Sequence, residues 1–345
     1  YVYYVFGDSA HESAEHRLFV PHAPGPNAAT KIVAYGDMGQ AALDDALEAS
    51  QEWPSRNTTR LVQQLVDSQD GTPVSMIAHI GDISYARGYS ALWDEFCDQV
   101  SPIASKVPYS ISLGNHERDA PASGSYYDGN DSGGECGVPA EKQFKNPRVS
   151  QKDSWYSVEV GLVHFTFMNT ELDFRNGSAQ NAWIAADLAS VDREVTPWVV
   201  FSGHRPMYIS STNNDAPAGD QPVAELLRQH VEPLLLSSEV DLALWGHHHS
   251  GQRTCAVAAT ECKQKSSQGV YGGAWQAPVH LVIGNAGQGL STNIESPMPM
   301  WFEFVQATTY GYSVMEFANA TYMSMQQLSN VDNTVLDSFV INRAE

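Results

Sequence analysis

The stretch MIAHIGDISY, residues 76–85, decides the fold predicted for this chain. Its mostly apolar run ends abruptly at Gly81, and two oxygen donors, Asp82 and Tyr85, follow at once. Such a run predicts a buried strand with a sharp turn at its carboxyl end, the edge where open α/β sheets bind ligands. The pattern recurs in KIVAYGDMG (31–39), YSISLGNHE (109–117), WVVFSGHRP (198–206) and LALWGHHH (242–249). We therefore expect five strand ends to converge on one site.

The donors at these strand ends are oxygen atoms and imidazoles, which suit a pair of metal ions. Alternate side chains of an extended segment share one face, so His247 and His249 can each serve a different ion while His248 points away in a structural role. Alone, Asp37 is as typical of an Asx turn and Tyr85 of a packed aromatic. Their recurrence in five segments favours ligation. The predicted metal ligands are Asp37, Asp82, Tyr85, Asn115, His204, His247 and His249.

His116 directly follows Asn115, and two adjacent side chains cannot easily reach the same ion. We therefore predict that His116 faces the substrate as a general acid, because an imidazole can protonate a leaving oxygen. Glu117 has two open interpretations. It either orients His116 or is a helix-start or surface carboxylate.

Composition limits the partners of this chain. It has 345 residues, and a formal net charge of −21 with only 19 Lys and Arg argues against nucleic acid or an anionic membrane as partner. The apolar runs are shorter than the roughly 18 residues of a membrane span. An apolar fraction of 42% and a charged fraction of 17% are typical of a folded protein, and we expect one main domain. An anionic substrate would need local cations such as bound metals.

Four cysteines occur without a CxxC pair, so a thiolate zinc site is not expected. Cys255 and Cys262 are spaced for a local disulfide between hairpin strands, although other pairings with Cys97 and Cys136 stay open. Asn-x-Ser/Thr sequons indicate an oxidising, secretory location, with the targeting segment upstream of residue 1. The candidate glycosylation sites are Asn57, Asn130, Asn176 and Asn319.

Periodicity predicts alternating helices and strands. Residues 1–6 read as a terminal strand, and residues 19–30 as a Pro-rich connector. Helical spacing is found in 60–69, in 181–192 and in 223–236, the last interrupted or ended near Pro233. The region from about 270 to 345 reads as a closing antiparallel section. The fold class is therefore α/β with mixed sheets.

The ordered series GDMG, GDISY, GNHE, GHRP and GHHH resembles the metallophosphoesterase superfamily, and the tyrosine in GDISY resembles its purple acid phosphatase branch. Residues 93–119, 125–141 and 248–255, with the closing VLDSFVIN, are similar to the longer plant-type members. The resemblance implies a sandwich of two mixed β-sheets flanked by helices, preceded by a fibronectin-like β-domain. Residues 1–24 would be the last strand and connector of that domain, and 25–345 the catalytic domain.

The resemblance also implies the cofactors. Fe(III) would be held by Asp37, Asp82, Tyr85 and His249, with Asp82 bridging to a divalent Zn, Mn or Fe on Asn115, His204 and His247. Asn115 and His116 would also meet the substrate. Plant-type members often carry a substrate-facing histidine pair where this chain has Asn213 and Asn214, so these two asparagines are further candidate substrate contacts.

The function implied is a secreted acid phosphatase that hydrolyses phosphate monoesters by attack of a metal-bound hydroxide. Two alternatives stay open. One is a nucleotide phosphodiesterase or pyrophosphatase of the same superfamily, and the other is an extracellular scaffold glycoprotein without turnover. The expected partners are small phosphate esters, and a homo-oligomer is possible.

Overall fold

A computed structural model describes residues 2–5, 7, 10–42, 51–68, 70–147 and 153–344. The strands up to the last ligand motif are β1 (Val2–Tyr4), β2 (His16–Leu18), β3 (Thr30–Tyr35), β4 (Val74–Ile80), β5 (Tyr109–Ser112), β6 (Tyr156–Val160), β7 (Val163–Phe167), β8 (Trp198–Gly203) and β9 (Leu242–Trp245). The strands after it are β10 (Gly251–Ala258), β11 (Glu261–Gln264), β12 (Val270–Gly272), β13 (Val279–Ile283), β14 (Phe302–Gln306), β15 (Gly311–Phe317), β16 (Tyr322–Ser329) and β17 (Val335–Asn342).

The helices alternate with these strands, as the periodicity predicts. They are α1 (Pro54–Asp67), α2 (Ser90–Ala104), α3 (Asn115–Arg118), α4 (Val138–Gln143), α5 (Ala179–Ala189), α6 (Asp220–His230) and α7 (Glu232–Ser237). The interruption predicted near Pro233 is confirmed, because α6 ends before Val231 and Pro233 lies in the first turn of α7, where its missing N–H is not needed. The hydroxyl of Ser178 caps α5 by accepting from the backbone N–H of Asn181 at 3.1 Å.

Two mixed sheets form the centre of the fold, as predicted. The first has the order β12-β17-β16-β15-β3-β4-β5, with β3, β4 and β5 parallel. The second has the order β11-β10-β13-β9-β8-β7-β6, and β14 also pairs with β10. The C-terminal section, predicted to be antiparallel, is mostly so, with two exceptions: β13 lies parallel to β9, and β12 lies parallel to β17.

The sheets pack face to face, with helices on both outer sides. Alternate residues of one strand face opposite layers, which explains the continuous apolar runs. In β8, Trp198 and Val200 enter the core between the sheets, whereas Val199 and Phe201 pack in the core that also holds residues of α5, α6 and α7. In β3, Val33 packs in the core that also holds residues of α1 and α2. The result is a four-layer sandwich.

The N-terminal segment forms a small ribbon, because β1 pairs antiparallel with β2. Residues 1, 6 and 69, which belong to predicted elements, lie outside the described residues. The domain boundary at residue 24 stays a prediction. Within the described ranges, none of the helices is both long and apolar enough to cross a bilayer.

Candidate metal centre

The five strand ends meet where the two sheets come together. The predicted convergence on one site is confirmed. Three of the strand ends, those of β3, β4 and β5, belong to the first sheet, and those of β8 and β9 belong to the second, so the site lies at a junction of two sheet edges. Backbone hydrogen bonds tie the junction: Gly36 N donates to Ile283 O at 2.9 Å, and Gly246 N donates to His204 O at 2.8 Å. A β-carbon at Gly246 would lie 2.6 Å from the Asp37 carboxylate, so only glycine permits this approach.

Four of the predicted ligands have positive backbone φ angles, which residues other than glycine rarely adopt. The φ angles of Asp37, Asp82, Tyr85 and His247 are 56°, 48°, 53° and 68°. The left-handed region is uncommon for residues other than glycine, and such strain of about 1–3 kcal/mol concentrates at functional sites. The turns after these strands therefore aim donor side chains into the junction.

The first donor group surrounds the Tyr85 hydroxyl. That oxygen lies 3.3 Å from Asp37 Oδ1, 3.2 Å from Asp82 Oδ2 and 3.1 Å from His249 Nε2. His249 Nε2 is 3.4 Å from Asp37 Oδ1. Asp37, Asp82 and Tyr85 are almost fully buried. Three potentially anionic oxygens and one imidazole thus converge on one small volume.

The second donor group shares Asp82 with the first. Asp82 Oδ2 lies 3.3 Å from His204 Nε2, which is 3.0 Å from Asn115 Oδ1. His247 Nδ1 lies 2.9 Å from the same Asn115 oxygen and 3.3 Å from His204 Nε2. Asp82 therefore stands between two donor groups, in the position of a bridging carboxylate.

These spacings fit metal ions. Ligand atoms about 2.1 Å from an ion lie about 3.0–3.4 Å from one another, as the donor atoms do here. In each ligand histidine, the outer ring nitrogen is the one that faces away from the donor group. The outer nitrogens of His204 and His249 also suit metal binding, because His204 Nδ1 lies 3.1 Å from Ile80 O and His249 Nδ1 lies 2.6 Å from Gly289 O. Each of these nitrogens carries the proton it donates to a carbonyl, which leaves the Nε2 lone pair free for an ion.

The electrostatics of the junction also favour cations. Burial alone would lower the pKa of His204, but Asp82 and Asp37 outweigh it and raise this pKa to about 10. Burial, together with Asp82 and Asp37, raises the pKa of Tyr85 well above its usual value. The protein by itself therefore holds a proton where an ion would lie, and the phenolate needs a nearby cation to form.

His116 lies beside both donor groups. Its ring centre is 4.4 Å from that of Tyr85, and its Nε2 lies 4.0 Å from Asp82 Oδ2. Its backbone N–H donates to Asp82 Oδ1 at 2.9 Å, and its Nδ1 has no hydrogen-bond partner among the described residues. His116 thus lies next to the donor groups, while its contact with a substrate and its role as general acid stay predictions.

Glu117 does not contact the His116 ring by hydrogen bond. Its buried carboxylate accepts from Ile83 N at 2.7 Å and from Gly114 N at 3.0 Å, so it ties the turns after β4 and β5 together. The helix-start interpretation therefore holds in part, because Glu117 lies in the first turn of α3 and its side chain accepts from the N–H of Gly114, the residue that precedes this helix. Burial, followed by the charge of Asp82, raises the pKa of Glu117 to about 8.

The two asparagines predicted to contact substrate make local contacts. Asn213 Oδ1 accepts from Asp215 N at 3.2 Å, and Asn214 is exposed with its amide 3.4 Å from Thr212 O. No hydrogen bond joins either to the donor groups in the described part of the chain. His248 is buried as predicted, with its ring nitrogens 2.7 Å from Ser250 Oγ and 3.2 Å from Asn293 Oδ1.

The predicted disulfide forms, and the predicted sequons lie at the surface. Cys255 and Cys262 form a disulfide that links β10 and β11. Cys97 and Cys136 are unpaired within the described residues. All four sequon asparagines are exposed: Asn57, Asn130, Asn176 and Asn319.

Three charged residues near the ligands were missed by the sequence reasoning. Arg205 is buried, lies 3.4 Å from His247 Nε2 and pairs with Glu171 at 2.8 Å. Asp131 and Asp220 contact Asn115 and His247 from outside the donor groups. Two of the three carried a signal in the sequence: Arg205 directly follows His204, and Asp131 lies within residues 125–141, which resemble the plant-type members. Asp220 lies in a segment without such a signal.

A two-sheet α/β sandwich with paired donor groups at the junction of its strand ends defines the metallophosphoesterase class. The sequence profile described as "Calcineurin-like phosphoesterase" matches residues 30–251, and the profile "Iron/zinc purple acid phosphatase-like protein C" matches residues 277–338. The chain belongs to the calcineurin-like phosphoesterase family, within its purple acid phosphatase branch.

Known relatives are similar over nearly the whole chain. "Probable inactive purple acid phosphatase 27" of Arabidopsis thaliana is 38% identical, over 93% of this chain and 51% of its own length. "Nucleotide pyrophosphatase/phosphodiesterase" of Hordeum vulgare is 36% identical, over 94% of this chain and 86% of its own. The solved purple acid phosphatase PPD1 from yellow lupin seeds has a TM-score of 0.88 and 34% identity, covering 96% of this chain and 57% of that one. The chain spans about half the length of several curated relatives it matches.

Proposed function

We propose that this chain is the catalytic part of a binuclear-metal acid phosphatase that hydrolyses phosphate monoesters. The observation that carries the proposal is the pair of donor groups sharing Asp82, with the His116 ring directly beside them. The first group, with its carboxylates and phenol, suits Fe(III), and the second, with its amide and imidazoles, suits a divalent Zn, Mn or Fe. Its small-molecule substrates would be phosphate esters.

Bound metal ions supply Lewis-acid polarisation of a phosphoryl oxygen and lower the pKa of water to about 7. The chain's own part is to hold the donor groups rigidly, through buried strand ends and left-handed turns, so that little rearrangement is needed during reaction. His116 protonates the leaving oxygen of the ester, because its Nε2 lies at the edge of both groups. The Asn115 amide lies close enough to the same edge to meet the phosphate.

The test is hydrolysis of p-nitrophenyl phosphate, with metal content measured on the same protein. Wild-type protein should bind two ions, show a visible iron-tyrosinate band and turn over. Asp82→Ala should lose both metal content and activity, because this carboxylate contacts both donor groups. Asp128→Ala, an exposed carboxylate outside both groups, is the matched control and should behave as wild type. Unchanged metal content and turnover in Asp82→Ala would refute the proposal.

A second candidate is hydrolysis of nucleotide diesters or pyrophosphates. It is favoured by the similarity to the barley protein named nucleotide pyrophosphatase/phosphodiesterase, and by Asn213 and Asn214 in place of a histidine pair. Comparing p-nitrophenyl phosphate with its bis ester separates the two. A higher kcat/KM for the bis ester would favour this second function.

A third candidate is a scaffold without turnover, favoured by the names of the Arabidopsis relatives, several of which are called probable inactive phosphatases. Full metal content with no hydrolysis of either ester would support it.

We also propose export through the secretory pathway, supported by the exposed sequons and by the disulfide of Cys255 and Cys262. Glycosidase treatment of protein from a eukaryotic host should lower its apparent mass, and an unchanged mass would contradict that proposal.

A further inference from the structure

The three ligand histidines differ in what holds their outer ring nitrogen. For His204 and His249, the partner is a neutral backbone carbonyl. For His247, the outer Nε2 faces a carboxylate instead, with Asp220 Oδ1 at 3.4 Å. A carboxylate behind a ligand histidine raises its basicity and fixes the ring orientation.

Asn115, the neighbour of His247 in the second donor group, has the same kind of support. Its amide Nδ2 donates to Asp131 Oδ2 at 3.0 Å, which turns its Oδ1 toward His204 and His247. Because an amide can present either its oxygen or its nitrogen, this hydrogen bond selects the orientation able to bind a cation. Two carboxylates thus stand behind the same donor group.

Asp220 is itself held firmly. It is 4% exposed, lies at the first position of α6 and accepts a hydrogen bond from the Ser211 hydroxyl. Arg205 Nη1 also lies 3.4 Å from His247 Nε2, but it already donates to Ala218 O at 2.8 Å. If His247 Nδ1 binds an ion, its Nε2 carries the proton and must donate, so Asp220 is its acceptor and Arg205 is not.

The charges of the two groups explain why this support is one-sided. The first group has its own anionic oxygens in Asp37 and Tyr85, besides the shared Asp82. The second group has only the shared Asp82, because its other donors are neutral. Outer carboxylates therefore supply the negative charge that the second group lacks.

We propose that Asp131 and Asp220 are positioning residues that set the affinity of the second group for its divalent ion. The inference rests on the proposed binuclear function and deepens it. The geometry of these outer contacts carries it, and neither carboxylate belongs to a donor group.

The experiment titrates Zn²⁺ into protein whose first group holds iron, for Asp220→Asn and Asp131→Asn. We expect the Kd for Zn²⁺ to rise by about 10- to 100-fold in each variant, while the iron-tyrosinate band stays unchanged. Excess Zn²⁺ should restore activity, because neither variant alters a ligand. Asp215→Asn and Asp128→Asn remove exposed carboxylates that are close in sequence to Asp220 and Asp131, and they should leave the Kd within about twofold.

Far-ultraviolet circular dichroism shows whether each variant is folded. Ser211→Ala gives a second, milder test, since it removes one hydrogen bond to Asp220 and should weaken Zn²⁺ binding less than Asp220→Asn. If the wild-type protein binds two ions and the Kd for Zn²⁺ is unchanged in both aspartate variants, this inference is overturned while the proposed function stands. A wild-type protein that binds no second ion would overturn the proposed function together with it.

Discussion

Replacing Gly114 by alanine tests whether the position of Asp82 controls the metal centre. Gly114 has φ −111° and ψ −173°, angles that alanine also adopts, so the backbone itself tolerates the change. A β-carbon there would lie 2.2 Å from Asp82 Oδ1, 2.7 Å from Asp82 N and 2.8 Å from His204 Cδ2. The added methyl group therefore collides with the residue shared by both donor groups.

The size of the effect follows from these distances. Ordinary contact begins at 3.4 Å, so the Asp82 oxygen must retreat by about 1.2 Å. Overpacking of this kind destabilises a core by about 1–3 kcal/mol, and a 1 Å misplacement of reacting groups lowers a rate by about 100-fold. We expect Gly114→Ala to fold, to bind metal less tightly and to lose about 100-fold in kcat/KM.

The assay combines kcat/KM for p-nitrophenyl phosphate, metal content and the midpoint of thermal unfolding. Gly289→Ala is the matched control. Gly289 also borders the site, since its carbonyl accepts from His249, but a β-carbon there would meet nothing within 4 Å. That variant should keep wild-type values. Full metal content and at least a third of wild-type kcat/KM in Gly114→Ala would refute the reasoning.

Three further predictions concern stability, metal and proton transfer. Burial lowers the pKa of His164, but hydrogen bonds to Asp187 and Glu159 outweigh it and raise it to about 9. This stabilisation is complete below the unfolded pKa of about 6.5 and is lost as pH rises through about 9. The free energy of unfolding should therefore fall by about 3 kcal/mol over that window, and His164→Gln should abolish this fall. Chelation should lower the midpoint of thermal unfolding, because ligand at 100 times its Kd stabilises the folded state by about 2.7 kcal/mol. His116→Gln should lower kcat/KM by about 100-fold for an alkyl monoester and much less for p-nitrophenyl phosphate, whose leaving group needs less proton transfer.

Each of these predictions has its own control. His22 is exposed, so His22→Gln should keep the wild-type pH dependence of the free energy of unfolding. If His164→Gln shows the same pH dependence as wild type, the first prediction is contradicted. Restoring metal after chelation should restore the unfolding midpoint; a midpoint indifferent to chelator would contradict the second. Equal losses of kcat/KM for both esters in His116→Gln would remove its role as general acid.

Most of the fold could be read from the residues. Continuous apolar runs such as that of β8 arise because both faces of a central strand are buried. Pro233 marks the start of α7, because proline fits the first turn of a helix better than its interior. Periodicity reports burial but not pairing direction, so it did not reveal that β13 runs parallel to β9. Pairing direction depends on which distant strand arrives alongside.

By itself, the sequence determined the donor residues of this protein and the turns that present them, because a glycine and a ligand side chain directly follow each apolar run. Only the tertiary structure decided how those donors divide into two groups around Asp82, since the five strand ends come from two sheets. Only it placed Asp131 behind Asn115 and Asp220 behind His247. The physical reason is the separation in sequence of the residues involved. A turn is formed by neighbouring residues, whereas the distances between ligands from distant segments are set by how the sheets pack.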